Sequence, residues 1–214
     1  MDINKFLEMK PMKYVGGTAA KKRVERFLSG DSEYQDWFYS YKVDGAWCRI
    51  VYDLDGKVTI QGRGVSKTTK RQKDNTESLP HLVEYVKNYW PRGTVAIGEL
   101  SFEDFENTTQ TQVGSMLRSL PARAIKNQEG NPLYFYPFDM LAFDGKDLSD
   151  EVFEVRVENA GLLREIVGPD EDKNYVRPLV HFKVSDGALE YLDKTLSKGG
   201  EGIVIMNPKG KYLP

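Results

Sequence analysis

Apolar residues alternate with polar ones, or crowd into short runs, at several places along the chain, and each such run predicts a strand. Residues 37–42 and 46–53 read as two strands. The second places Arg49, Val51 and Asp53 on one face and Cys48, Ile50 and Tyr52 on the other. Asp55-Gly56 turns the chain into a further strand over 57–61. Strands are also expected at 94–101, in the aromatic run 133–143, at 175–184 and at 202–206. Apolar residues at the helical period predict helices between them. One covers 18–28 and stops at Ser29-Gly30; another follows a Ser78 cap and packs Leu79, Leu82, Val83, Val86 and Trp90. A third, over about 109–120, packs Val113, Met116, Leu117 and Leu120. Two more cover about 152–167 and 185–198, the last capped by Ser185 and ended by Gly199-Gly200. Interspersed strands and helices, a hairpin turn and short connections favour antiparallel pairing, so the fold class expected is α+β with a mainly antiparallel sheet system.

Composition narrows the function classes. The 214 residues, 40% hydrophobic and 29% charged, suit one large domain or a tight pair of lobes with a real core. A net charge of -2 is not that of an obligate nucleic-acid coat, so any DNA contact must come from local basic patches. Two such patches exist. Lys21, Lys22, Arg23 and Arg26 read as the solvated face of a basic amphipathic helix, whereas Lys67, Lys70, Arg71 and Lys73 cluster in a polar stretch, 65–76, that reads as a mobile basic loop. The single cysteine, Cys48, excludes an internal disulfide and a cysteine-based zinc site, and in its apolar strand it reads as a buried thiol. No signal peptide and no apolar run long enough to cross a bilayer are present, so a soluble, intracellular protein is expected. His81 and His181 lack metal-ligand or triad partners nearby and read as structural.

Five short pieces remain: Lys42-Val43-Asp44-Gly45, Gly62-Arg63-Gly64, Gly98-Glu99-Leu100, Phe138-Asp139 and Glu201-Gly202-Ile203-Val204. Taken singly each has a plain reading. Asp-Gly is a common turn, strand-end glutamates are usually solvated, and an aromatic in FYPFDML is more often core. GRGVSKTT superficially suggests a phosphate-binding P-loop, but the glycine required before its lysine is missing and no amphipathic helix follows.

In that order the five pieces resemble the covalent nucleotidyltransferases, namely ATP-dependent DNA ligases, RNA ligases and mRNA capping enzymes. The likeness is greatest to the adenylation domain of small phage or bacterial ATP-dependent DNA ligases, and it extends to GNPLYFYPFDMLAFDGKDL and GGEGIVIMNPKGKYLP. The resemblance implies a nucleotidyltransferase (ATP-grasp-like) fold, mainly antiparallel sheets flanked by helices with the nucleotide between two sheets. It implies that Lys42 attacks the α-phosphate of ATP and becomes lysyl-AMP, for which its amine must be neutral, a state that burial and nearby cations favour. Asp44 would orient neighbouring groups and Gly45 would admit the backbone close to the nucleotide. Arg63 matches an arginine that grips a phosphate or sugar, Phe138 the aromatic that stacks on adenine, and Glu99 and Glu201 the carboxylates that hold a ribose hydroxyl or Mg²⁺. The family usually has arginine two residues after the motif glycine; this chain has Trp47, with Arg49 two further on as the expected substitute. The implied substrate is nicked duplex DNA, handled by a monomer, with the loop of Lys67, Lys70, Arg71 and Lys73 along its backbone. An RNA ligase, a capping guanylyltransferase or a non-catalytic nucleotide- or DNA-binding module are the alternatives. In the ligases a strand with two lysines and an OB-fold follow the text around Lys211-Tyr212-Leu213-Pro214, so the 214 residues are expected to be an adenylation domain without those parts.

Overall fold

A computed structural model describes residues 2–12, 17–65, 70–166 and 174–214. Lys67 and Val167 lie outside the described residues. The strands are β1 (Phe38–Tyr41), β2 (Ala46–Tyr52), β3 (Val58–Val65), β4 (Gln72–Asp74), β5 (Thr94–Ser101), β6 (Tyr134–Phe143), β7 (Lys146–Asp147), β8 (Phe182–Lys183) and β9 (Ile203–Met206). They form a six-stranded sheet in the order β4-β3-β2-β5-β6-β7 and a three-stranded sheet in the order β8-β1-β9. Every pair of neighbouring strands is antiparallel, as the α+β reading expects. The helices are α1 (Ile3–Glu8), α2 (Gly17–Leu28), α3 (Pro80–Tyr89), α4 (Gln110–Leu117), α5 (Pro121–Asn127), α6 (Phe153–Leu162) and α7 (Ala188–Ser197).

The large sheet is buried on both faces, which explains why β5 reads as a continuous apolar run. Cys48, Ile50, Ile60 and Leu100 face a core closed by Leu82, Tyr85 and Val86 of α3. Burying each such aliphatic side chain is worth roughly 1.5–3 kcal/mol, and the 3–4 spacing of the three helical residues puts them on one stripe. On the other face Val51, Val95, Ile97 and Leu141 pack against Phe6 of α1 and against Tyr212. Phe27 of α2 and Ala188 of α7 cover the small sheet over Tyr39.

Five local expectations are corrected. Ser185 does not cap α7; it lies inside a short 3-10 turn, and the helix starts at Ala188 behind Gly187 in left-handed backbone. The stretch expected as a loop contains β4, which pairs Asp74 with Gln61 and Gln72 with Val65. Ser78 does not cap α3; it is buried in a short 3-10 turn, and the helix starts at Pro80, whose missing N–H is harmless there. The helix expected over 109–120 ends at Leu117 and a second one follows. Pro121 forces Leu120 into extended backbone, and its side chain is 80% exposed instead of packed. Of the strand expected at 175–184 only Phe182–Lys183 is regular. Upstream, Tyr175, Arg177 and Leu179 bond to Phe135 and Pro137 of β6 before the chain crosses to the small sheet, and Pro178 lacks a donor to continue a ladder.

Candidate active site

The chain passes between the sheets at residues 42–45, and the motif is that crossing. Lys42 still belongs to the small sheet through its N–H, which donates to Gly202 O at 3.0 Å. Val43 is buried against Tyr134 and Tyr136 and anchors the passage. Alternation along extended backbone therefore turns Lys42 and Asp44 away from that cluster together. Gly45 meets the large sheet so closely that a Cβ there would lie 2.4 Å from Leu100 O. No other residue fits.

Glu201 arrives from the opposite end of the chain, just before β9, and accepts a hydrogen bond from Lys42 Nζ. Both side chains are about two-fifths exposed, at 43% for Lys42 and 40% for Glu201. The burial that a neutral lysine calls for is thus not present, and the neighbour in contact is an anion.

Glu99 stands on β5 opposite Trp47 of β2. Its Oε2 is buried and has no hydrogen-bond partner. Burial pushes its carboxyl up from the usual 4.5 to about 8, opposed by the positive charges of Lys42 and Arg63 and reinforced by the negative charges of Asp44 and Glu201. Four charged residues of the other motifs thus act on this one carboxyl, and Asp139 is the one that does not. Arg63 reaches the carboxyl along β3, which runs past the expected 57–61 to Val65 and leaves the Arg63 side chain exposed.

Phe138 is the only member of the run Tyr134, Phe135, Tyr136 and Phe138 that is not buried. It is the extra residue of a β-bulge, since Gly98 pairs with Pro137 and Ile97 with Asp139. Gly98 permits the bulge, because a Cβ there would lie 2.3 Å from Tyr136 O. Phe138 and Trp47 both border the cluster beneath α1, half-buried.

Arg49 does not take the role expected of it. Its ring-stacking partner is Trp47, 5.7 Å from guanidinium carbon to ring centre, but its side chain is wholly buried. Nη1 donates to Met9 O at 2.7 Å, Nη2 to Leu7 O at 3.2 Å and to Gln61 Oε1 at 2.7 Å, and Nη2 also to Gln72. With its donors committed, it fastens α1 to the sheet and has nothing left for a nucleotide. Burial lowers its pKa to about 10.

The basic segment divides as well. Lys73 donates to Leu117 O at the end of α4, where a cation suits the helix C-terminus, so it is not free for a backbone phosphate. Lys70 is exposed with φ 57°, Arg71 is exposed, and Lys67 is outside the described residues.

One pair escaped the sequence reading. Asp139 and Arg156, both nearly fully buried, join β6 to α6 through bonds of 2.8 and 3.0 Å. Asp139 thereby holds the strand that carries Phe138. An arginine inside an otherwise apolar helix pattern was the available signal. Cys48 is wholly buried and its thiol is pushed well up by that burial. His81 bonds to Leu133 O at 2.8 Å, and burial lowers His181 to about 4.

Comparison with known proteins places the chain in a family. The family model of the ATP dependent DNA ligase domain matches residues 15–214. The DNA ligase of Methanocaldococcus jannaschii is 31% identical over 195 residues, covering 82% of this chain and 32% of that protein. A probable DNA ligase of Nocardia farcinica is 27% identical, covering 78% and 34%. The chain thus spans about a third of these relatives' length. Among solved structures, the ligase domain of M. tuberculosis LigD superposes with a TM-score of 0.64 at 19% identity, covering 98% of this chain and 57% of that one. The ATP-dependent DNA ligase of bacteriophage T7, in complex with ATP, gives 0.62 at 15%, covering 97% and 66%. These likenesses establish the fold. Matched by the family model over nearly its whole length, the chain belongs to the ATP dependent DNA ligase domain family.

Proposed function

We propose that the chain is the adenylation domain of an ATP-dependent DNA ligase and forms lysyl-AMP on Lys42. The observation that carries the reading is the contact of Lys42 Nζ with Glu201 where the chain crosses between the sheets, with the unpartnered Glu99 carboxyl rising from the strand against which Gly45 packs. Lys42 Nζ forms the P–N bond to the α-phosphate while the P–O bond to pyrophosphate breaks. The proton that the ammonium must shed first has an acceptor in contact, Glu201. Arg63 binds phosphate or sugar oxygens, and Phe138 presents its half-buried ring to adenine. The unpartnered Glu99 Oε2 suits a ribose hydroxyl or a cation.

Among the described residues no three or more His, Cys, Asp or Glu side chains gather into a metal centre. Mg²⁺ does not need one, because it is commonly held by one or two carboxylates together with substrate phosphates. Glu99 and Glu201 fit that mode, and the ion would offset phosphate charge. AMP then passes to the 5′-phosphate of nicked duplex DNA, the substrate of this reading, and the domain acts as a monomer. Among the described residues no helix is long and apolar enough to cross a membrane.

The test is incubation with labelled ATP followed by denaturing electrophoresis. The wild-type chain is expected to carry label and Lys42→Ala none, with an unchanged circular dichroism spectrum. Label on Lys42→Ala would remove Lys42 as nucleophile. Transfer from GTP in place of ATP would make the protein a guanylyltransferase.

A further inference from the structure

Beside the small sheet, on the side of α7, lies a cleft of about 160 Å³ whose use the reaction above leaves open. This is below the roughly 300–1,000 Å³ of pockets that enclose whole organic ligands, so it suits a single small group. Its walls carry the hydroxyls of Tyr41, Tyr191 and Thr195 and the ammonium groups of Lys194 and Lys198. None of these five has a hydrogen-bond or ion-pair partner among the described residues. Glu106 is the single acid, so the cleft carries net positive charge. Burial raises both tyrosines above their usual pKa, so each remains an O–H donor at neutral pH. The floor is kept open by Gly200, where a Cβ would lie 2.8 Å from the Tyr41 hydroxyl and 2.7 Å from Thr195 Cγ2. Convergent donors that lack partners, with two cations against one acid around a small space, suit an oxyanion.

We propose that this cleft is a subsite for one backbone phosphate of the polynucleotide, an inference that rests on the ligase reading. ATP is the other source of phosphate, and the geometry disfavours it. Tyr39 stacks beside Tyr191 of α7 with ring centres 5.4 Å apart, so Tyr41, two residues on, faces α7 as well. Lys42 is the next residue and points to the other side of the strand. The phosphate under attack lies on Lys42's side, and the pyrophosphate leaves in line, farther from Lys42. The cleft is on neither path. Through Tyr41 and Gly200 it is nevertheless one residue from Lys42 and one from Glu201, where a strand crossing the site would continue.

The experiment compares the wild-type chain with the double variant Lys194→Gln/Lys198→Gln and with Tyr191→Phe, which keeps the ring and removes one donor. Two quantities are read: lysyl-AMP formation as ATP is varied, and equilibrium binding of a nicked duplex across a salt series. For the double variant, adenylylation and its ATP dependence are expected to be unchanged. Duplex affinity is expected to fall roughly tenfold, as for lost charge-assisted bonds, with the log–log salt slope flatter by about 1, the value for one phosphate. Tyr191→Phe is expected to weaken binding severalfold with no change in slope. Unchanged duplex affinity and slope in the double variant, or a wild-type chain that does not bind the duplex at low salt, would overturn the subsite. A raised ATP requirement at unchanged duplex affinity would assign the cleft to nucleotide phosphates and overturn it equally. If the wild-type chain forms no lysyl-AMP while the lysines still govern duplex binding, the ligase reading fails and the subsite stands.

Discussion

Replacing Glu99 with glutamine should stabilise the protein while depriving the site of a carboxylate. The Glu99 carboxyl titrates at about 8 in the folded chain against 4.5 when unperturbed, chiefly because it is desolvated. The folded state therefore holds a proton that the unfolded state releases, and stability falls as pH rises from 4.5 to about 8, then levels. Each pH unit in that window is worth roughly 1.4 kcal/mol at most, so the full gap bounds the effect at about 5 kcal/mol. Relaxation and water access at a partly exposed residue reduce this, and about 1–3 kcal/mol is expected. Glu99→Gln keeps the shape and cannot ionise. Urea unfolding at intervals from pH 5 to 9, without nucleotide, should give nearly equal midpoints for the two proteins at pH 5 and a growing advantage for the variant up to pH 8. Parallel curves for the two proteins would show that Glu99 ionises freely and that its buried oxygen is not a poised ligand. The variant should also lose lysyl-AMP formation, which separates stability from function in one residue.

Other outcomes follow from the same contacts. Phe138→Ala should weaken ATP binding by about 1–3 kcal/mol, by analogy with aromatic–base stacking, and Phe138→Tyr should be nearly silent in calorimetry; equal losses in both would mean that the ring only packs. Arg49→Met leaves the Met9 carbonyl without its donor, while Leu7 O keeps the amide of Gln61, so a loss of about 1–3 kcal/mol in unfolding free energy is expected, with the ATP affinity of the folded fraction unchanged. Asp139→Asn strands the buried Arg156 charge and should cost about 3–5 kcal/mol, visible as a lowered Tm, whereas a shift under 1 kcal/mol would show the pair to be solvated.

Local pattern was enough where a segment is an unbroken apolar run or a helical period closed by a clear stop signal. The strand 94–101 is found at those very residues, and the helix starting near residue 18 ends at Leu28 as expected. It was not enough where two sheets compete for one segment. Nothing in the text of 175–184 says that its first half serves β6 and that Phe182 and Lys183 serve the small sheet. The motifs named Lys42 and Glu201 together although they lie far apart in sequence, and the structure brings the two into contact. Arg49 shows the limit of that logic. Alternation correctly put it on the face of Trp47, but only the docking of α1, forty residues upstream, determines that its guanidinium is consumed by backbone carbonyls.

The pairing of Lys42 with Glu201 spans 159 positions. Seen as a matter of synthesis, this sets a schedule. At about 5–20 residues per second, β1 leaves the ribosome roughly 10–30 s before β9. During that interval Phe38, Tyr39 and Tyr41 form a strand without its neighbour, an apolar edge of the sort that invites pairing with other chains. The large sheet, by contrast, gathers consecutive or nearly consecutive strands and can form early. The nascent protein thus carries an ordered half and a waiting half, and Lys42 has no counterion until nearly the whole chain has been made. Chaperone dependence and aggregation on refolding should therefore track the small sheet, with substitutions in β1 and β9 dominating yield even where they leave the finished fold intact.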